Sequence, residues 1–105
     1  MNIGELFKQA KDAQAKMQAM QDQLAALEVE GVAGAGLVRV VLSGKSDMKR
    51  VFVDPSLLKP ESGEVVSDLI VAAHADAKAK VERRAAEEMA KIARDMGLPP
   101  GMLPG

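Results

Sequence analysis

The chain has 105 residues and carries 14 Lys and Arg against 15 Asp and Glu, a formal net charge of −1. That length suits one domain burying roughly two-thirds of its unfolded surface, and the charge balance argues against a polyanionic partner unless the cations are segregated. With no Cys, Trp or Tyr and only Phe7 and Phe52, the composition excludes disulfides, thiolate metal sites and thiol nucleophiles, and leaves little for stacking on bases.

Residues 3 to 28 read as a helix. Ile3, Leu6, Ala10, Ala13, Met17, Met20, Leu24 and Leu27 recur three and four apart, an apolar a/d seam among Gln, Lys and Asp. Such a seam packs on its own domain, as expected near Leu27, or against another helix, which the small Ala10 and Ala13 would let approach closely. Met17 and Met20 read as soft core filling.

Glu28 to Val32 alternates and reads as a first strand. Gly31-Val32-Ala33-Gly34-Ala35-Gly36 has the order G-x-x-G-x-G and precedes a strand. It is not the dinucleotide fingerprint, which needs G-x-G-x-x-G between strand and helix. A flexible or bulged connection is expected there.

Leu37 to Leu42 and Met48 to Val53 are β-branched, apolar runs separated by Ser43-Gly44-Lys45-Ser46-Asp47, the pattern of a hairpin. Alternation puts Val38, Val40 and Leu42 on one face with Val51 and Val53 opposite them, a core face. The other face mixes Leu37, Val41, Met48 and Phe52 with Arg39 and Arg50, which suits a partner surface. Gly44-Lys45-Ser46 resembles the end of a P-loop, but Arg39 stands where that motif needs Gly. Asp54-Pro55 stops the strand, and Ser56 to Lys59 reads as a short helical turn.

Glu64 to Met96 reads as one long helix. Val66, Leu69, Ile70, Ala73 and Ala77, then Val81, Ala85, Met89, Ile92 and Met96, mark an inner face that drifts around the axis. Gly97 fits the C′ position, Pro99 the stop, and Leu98 to Gly105 a flexible Pro/Gly-rich tail outside a domain of residues 1–97. At 1.5 Å per residue both helices exceed the roughly 20 Å of the strands. They must overhang the sheet, with Ile3, Leu6 and Ala10 on one helix and Val81, Met89 and Ile92 on the other left to meet each other or a second subunit. The expected architecture is α+β: a long N-terminal helix, an antiparallel sheet of about three strands and a long C-terminal helix, dimeric with protruding helical arms.

Catalytic chemistry is not expected. His74, the single histidine, has Ile70, Val71, Ala77 and Lys78 at helical ligand spacing, so no local metal site forms. The serines show no triad arrangement, and no cofactor or small-molecule substrate is implied. No apolar run approaches the roughly 20 residues of a membrane span, and no signal-peptide pattern opens the chain. A cytoplasmic protein without a membrane partner is expected.

The cations are segregated. Residues 31–59 hold Arg39, Lys45, Lys49, Arg50 and Lys59 against Asp47 and Asp54. At 100° per residue Lys80, Arg83, Arg84, Lys91 and Arg94 share a sector about 100° wide, with Glu87 inside it and Glu88 beside it. The sector reads either as a solvated face with i,i+4 ion pairs or as a phosphate-binding stripe, which Lys8, Lys11 and Lys16 of the first helix would extend.

The glycine-spaced entry at Gly31–Gly36, the hairpin, Lys49-Arg50-Val51 and Asp54-Pro55-Ser56-Leu57-Leu58, in that order, resemble the YbaB/EbfC nucleoid-associated proteins. The likeness extends to Met17–Gly31, Asp68-Leu69-Ile70-Val71-Ala72-Ala73 and the end Gly97–Pro104. Phe52 departs from it, since a polar or acidic residue is expected there. The resemblance implies a homodimer with two helical arms like tweezers, bound to double-stranded DNA in the nucleoid with little sequence preference. Effects on DNA conformation, nucleoid organisation and gene expression would follow. It implies no catalytic motif and carries no signature contact residue, so Lys80, Arg83, Arg84, Lys91, Arg94, Lys8, Lys11 and Lys16 are candidate DNA contacts by chemistry and place. Leu37, Val41, Met48 and Phe52 are the candidate dimer face. The alternative is a protein-interaction adaptor that uses the Ile3–Leu27 seam and binds no DNA.

Overall fold

The computed structural model describes residues 2–95 and Gly97. The expected tail, its Pro99 stop and Met96 lie outside the described residues. Helix α1 spans Ile3–Ala26; the strands β1 (Glu28–Ala33), β2 (Val38–Ser43) and β3 (Met48–Val53) form an antiparallel sheet in that order; helix α2 spans Gly63–Asp95. The expected α+β layout is what forms.

Local chemistry sets the boundaries. Asn2 caps α1, its Oδ1 accepting from the Glu5 N–H at 2.8 Å. The helix stops two residues short of the expected Glu28, because Leu27 is already extended and Glu28 opens β1. The glycine-rich stretch is divided. Gly31 to Ala33 continue β1, and only Gly34, Ala35 and Gly36 turn the chain, all three with positive φ. In the second turn the buried Ser43 hydroxyl accepts from the Lys45 and Asp47 N–H groups at 3.1 and 3.2 Å. Asp54 accepts from the Ser56 N–H to start a 3-10 turn over Pro55–Leu57, and a second 3-10 turn, Pro60–Ser62, leads into α2. Gly97 takes φ +74 and donates to the Arg94 carbonyl, as expected of a C′ glycine.

The core is small. Val38, Val40 and Leu42 of β2 pack against Ala73, Ala77 and Val81 of α2, all essentially without solvent exposure. The close seating of α2 depends on Gly31. A Cβ there would lie 2.2 Å from the Ala73 carbonyl oxygen and 2.3 Å from the Ala77 nitrogen. Because α2 lies over β1 and β2 and not over β3, one predicted face divides into two environments. Val40 is fully buried, whereas Val51 on the same rung is 43% exposed. Val81, expected on the overhang, is a core residue for the same reason.

The register slips by one residue between Val41 and Leu42, so that Met48 stands opposite Leu42. Strict alternation therefore does not hold at Met48, which had been grouped with Arg50 and Phe52.

The molecule is elongated, 70 × 25 × 15 Å with a radius of gyration of 19.5 Å, against about 13 Å for a compact chain of this size. Helix α1 accounts for much of this length. Its last turns are held where the Gly44 N–H donates to the Leu24 carbonyl at 2.8 Å and where Met20, Leu24 and Leu27 border Ile92 of α2. Residues 3–19 are exposed throughout, including seam residues Ile3 at 70% and Met17 at 60%. The seam thus packs on its own chain near Leu27 and is open beyond Met20.

Candidate nucleic-acid interface

Seating α2 over β1 brings residues 76–87 alongside the outer edge of that strand. Asp76 Oδ2 accepts from the Val32 N–H at 3.0 Å, and Lys80 Nζ donates to the Glu30 carbonyl at 3.2 Å. The two side chains also pair with each other at 3.0 Å. The Val32 N–H, followed by the Lys80 ammonium, holds the Asp76 carboxyl below its ordinary value. Together the pair engages the unpaired backbone groups of an edge strand and blocks strand addition there.

The predicted cationic sector keeps its place on α2, but its members are not equivalent. Lys80 is committed to Asp76 and Glu30. Arg84 Nε lies 3.8 Å from Glu88 Oε1. Lys80, Arg83 and Arg84 share a shallow groove with Glu28, Glu30 and Glu87. Arg83, Lys91 and Arg94 are exposed, and none forms an ion pair within 4.0 Å among the described residues. Arg83 stays in the groove beside β1, whereas Lys91 and Arg94 lie beyond the sheet, because the inner face of α2 drifts. It follows Ala73, Ala77 and Val81 over the strands, then Ile92 and Ala93 toward α1 and the helix end. Lys8, Lys11 and Lys16 are exposed on the projecting part of α1. Within one chain, Lys8 stands about 24 Å along the helix from the Leu24 joint.

The outer sheet face carries three of the other candidates, Leu37, Val41 and Phe52; Met48, brought opposite Leu42 by the register slip, does not join them there. Leu37, Met48 and Phe52 are exposed and Val41 is half-buried. Arg50 grips Glu28 across β2 in a two-bond fork, at 2.6 and 3.3 Å, which raises the guanidinium and lowers the carboxyl from their ordinary values. Arg50 is thereby already paired. Arg39 lies over the Phe52 ring, 4.3 Å from its centroid.

Sequence reasoning missed the Asp76–Lys80 clamp and the Glu28–Arg50 fork. The first left a trace in its i,i+4 spacing. The second depends on strand register and left none.

The family model described as the YbaB/EbfC DNA-binding family matches residues 1–96. A nucleoid-associated protein of Granulibacter bethesdensis is 52% identical over 101 residues, covering 96% of this chain and 94% of that one. A nucleoid-associated protein of Agrobacterium fabrum is 52% identical over 92 residues, covering 88% and 86%. The crystal structure of an uncharacterized Helicobacter pylori protein, 21% identical, superposes with a TM-score of 0.69 over 91% of this chain and 97% of that one, a likeness of fold.

Proposed function

The chain belongs to the YbaB/EbfC DNA-binding family, and from that premise we propose that it is a nucleoid-associated protein that binds double-stranded DNA as a homodimer, with little sequence preference. The observation that carries the reading is the trio Arg83, Lys91 and Arg94, exposed on α2 with no carboxylate within 4.0 Å among the described residues. These would hold phosphates, joined by Lys8, Lys11 and Lys16 on the α1 arms, while Lys80 and Arg84 contribute less because Asp76 and Glu88 already offset them. With few aromatic side chains, the binding is positional and electrostatic. Changes in DNA conformation, nucleoid organisation and gene expression follow from occupancy along the duplex. Homodimerisation is supported by the exposed seam of α1 and by the apolar outer sheet around Leu37, Val41 and Phe52. The same exposed seam supports a second reading, an adaptor that engages another protein's helix and no DNA.

The test is a titration with several unrelated duplexes at varied salt. Each phosphate contact adds about −0.9 to the slope of log affinity against log salt, so Arg83→Ala in both protomers of a dimer should make the slope shallower by up to about 1.8. Lys80→Ala should change it less. Affinity should be similar across sequences. A folded dimer with no duplex binding at low salt would favour the adaptor, and an unchanged slope in Arg83→Ala would remove Arg83 from the interface.

A further inference from the structure

The outer sheet face holds one cation and one anion that its own chain leaves unpaired. Arg39 sits on the central strand, stacked on Phe52, and its Nε is buried without a hydrogen-bond partner. Among the described residues no carboxylate lies within 4.0 Å of its guanidinium. A guanidinium nitrogen out of water and without an acceptor is costly and is normally satisfied. Glu30 is exposed on β1, and no cation among the described residues reaches its carboxylate within 4.0 Å. Lys80 binds its main-chain carbonyl instead, Arg50 is taken by Glu28, and Lys49, exposed at the bulge, also acts on Glu28. The register places Glu30 opposite Val41 and Arg39 opposite Val32, so the two sit diagonally across adjacent strands.

One unpaired cation, one unpaired anion and an apolar surround of Val32, Leu37, Val41 and Phe52 make a self-complementary patch. In an isologous interface, residue i meets j while j meets i. A two-fold axis passing between Arg39 and Glu30, parallel to the sheet, brings each over the other in a second copy. Building on the homodimer reading, we propose that the outer sheet faces of two copies pack together and that Arg39 of each protomer pairs with Glu30 of the other. DNA is disfavoured as the occupant because Arg50 is already neutralised by Glu28, Glu30 stands unpaired beside Arg39, and the surrounding Val32, Leu37, Val41 and Phe52 offer phosphates no donor. Edge pairing through β1 is disfavoured because Asp76 and Lys80 occupy its free backbone groups.

Charge reversal tests this by the mass of the assembly. Arg39→Glu and Glu30→Lys, each alone, place like charges opposite one another and should weaken the dimer by about tenfold or more. Mixed in equal amounts, with one carrying a mass tag, they should form a mixed dimer by native mass spectrometry, because both cross-axis pairs then have opposite signs. Circular dichroism checks that each variant is folded. Should Arg39→Glu fail to fold, Arg39→Gln replaces it: Glu30→Lys should then weaken the dimer strongly in the wild-type background and little in Arg39→Gln. A dimer that withstands both single reversals overturns the pair and moves the junction to the α1 seam. Lost dimers that the mixture does not restore also overturn it. So does an Arg39→Glu protein that stays dimeric and loses DNA. A monomeric wild type at micromolar concentration defeats the homodimer reading itself.

Discussion

Replacing Gly31 by Ala should destabilise the fold far more than a single methyl group ordinarily would. The added Cβ would stand 2.2 Å from the Ala73 oxygen, 2.3 Å from the Ala77 nitrogen and 2.6 Å from the Ala77 Cβ. Relaxed contacts between carbon and these atoms need about 3.3 Å or more, so α2 must retreat by roughly 1 Å. Two of the three atoms are helix backbone and cannot rotate away. Retreat lifts Ala73, Ala77 and Val81 from Val38, Val40 and Leu42, the whole buried contact between helix and sheet. Overpacking costs about 1–3 kcal/mol, and this case belongs at the upper end. The stiffer unfolded chain returns about 0.4–1 kcal/mol, leaving a loss of about 2–3 kcal/mol from a total on the order of 5–15. For a domain of this size that lowers the melting temperature by about 10 °C or more. Circular dichroism melts at one fixed protein concentration measure it, since dimerisation would make the midpoint depend on concentration. Gly63→Ala is the control: nothing lies within 4 Å of its Cβ position, and its backbone is already helical. A Gly31→Ala midpoint within about 3 °C of wild type would refute the close seating of α2.

Gly44→Ala should loosen the arm while leaving the sheet intact, because a Cβ there would meet the Leu24 carbonyl at 2.4 Å; hydrogen exchange should speed up in residues 20–27 and not in β2, and uniform exchange across both would count against a local joint. Val40→Ala should cost about 2 kcal/mol, two methyl groups at about 0.8 each plus a cavity, whereas Val51→Ala on the same rung should cost less than about 1 in the monomer; equal denaturation midpoints for the two would mean that β3 is covered. The Asp76 carboxyl is held below its ordinary value near 3.8 by the Val32 N–H and Lys80, so its contribution is present above that value and lost as pH falls through the lower, folded one. Asp76→Asn should therefore be less stable than wild type at pH 7, with the gap in urea midpoint closing toward pH 3, and a gap independent of pH would rule out the charged clamp.

The elements were legible because each repeats its own period over many residues. The α1 seam keeps three-and-four spacing from Ile3 to Leu27, and the two hairpin runs alternate around a glycine-bearing turn. What was not legible depends on pairs distant in sequence. Gly31 reads both as strand and as the start of a glycine-rich connection, and nothing near it in the chain reveals Ala73 and Ala77 above it. Val40 and Val51 read as equivalents, and only the lateral position of α2 separates them. The cationic sector could be placed by angle alone, yet its effective charge could not. Glu87 and Glu88 were visible as helical neighbours, but Glu28 and Glu30 reach the same groove from a strand far earlier in the chain.

That contrast bears on how a chain of net charge −1 would engage a polyanion. The acidic residues are spent on cations where the fold needs order: Asp76 on Lys80 at the β1 edge, Glu28 on Arg50 across the sheet, Glu88 on Arg84 along α2. Lys91 and Arg94 fall outside this set because the inner face of α2 rotates as the helix leaves the sheet for α1. Arg83 shares a groove with Glu28 and Glu30 yet forms no ion pair within 4.0 Å among the described residues. A helix confined to the sheet would present the same side throughout and could keep its cations within reach of the β1 carboxylates. The overhang therefore does two things at once. It exposes an apolar seam on α1 that favours a second chain, and it carries Lys91 and Arg94 on α2 away from the acidic strand. If so, shortening α2 after Ala90 should weaken DNA binding beyond the loss of Lys91 and Arg94, because α1 would lose Ile92 and with it the fixed angle of the arm. Lys91→Ala/Arg94→Ala in the full-length chain isolates the charge effect. Equal affinities for the truncated and doubly substituted proteins would show that the arm's orientation contributes nothing.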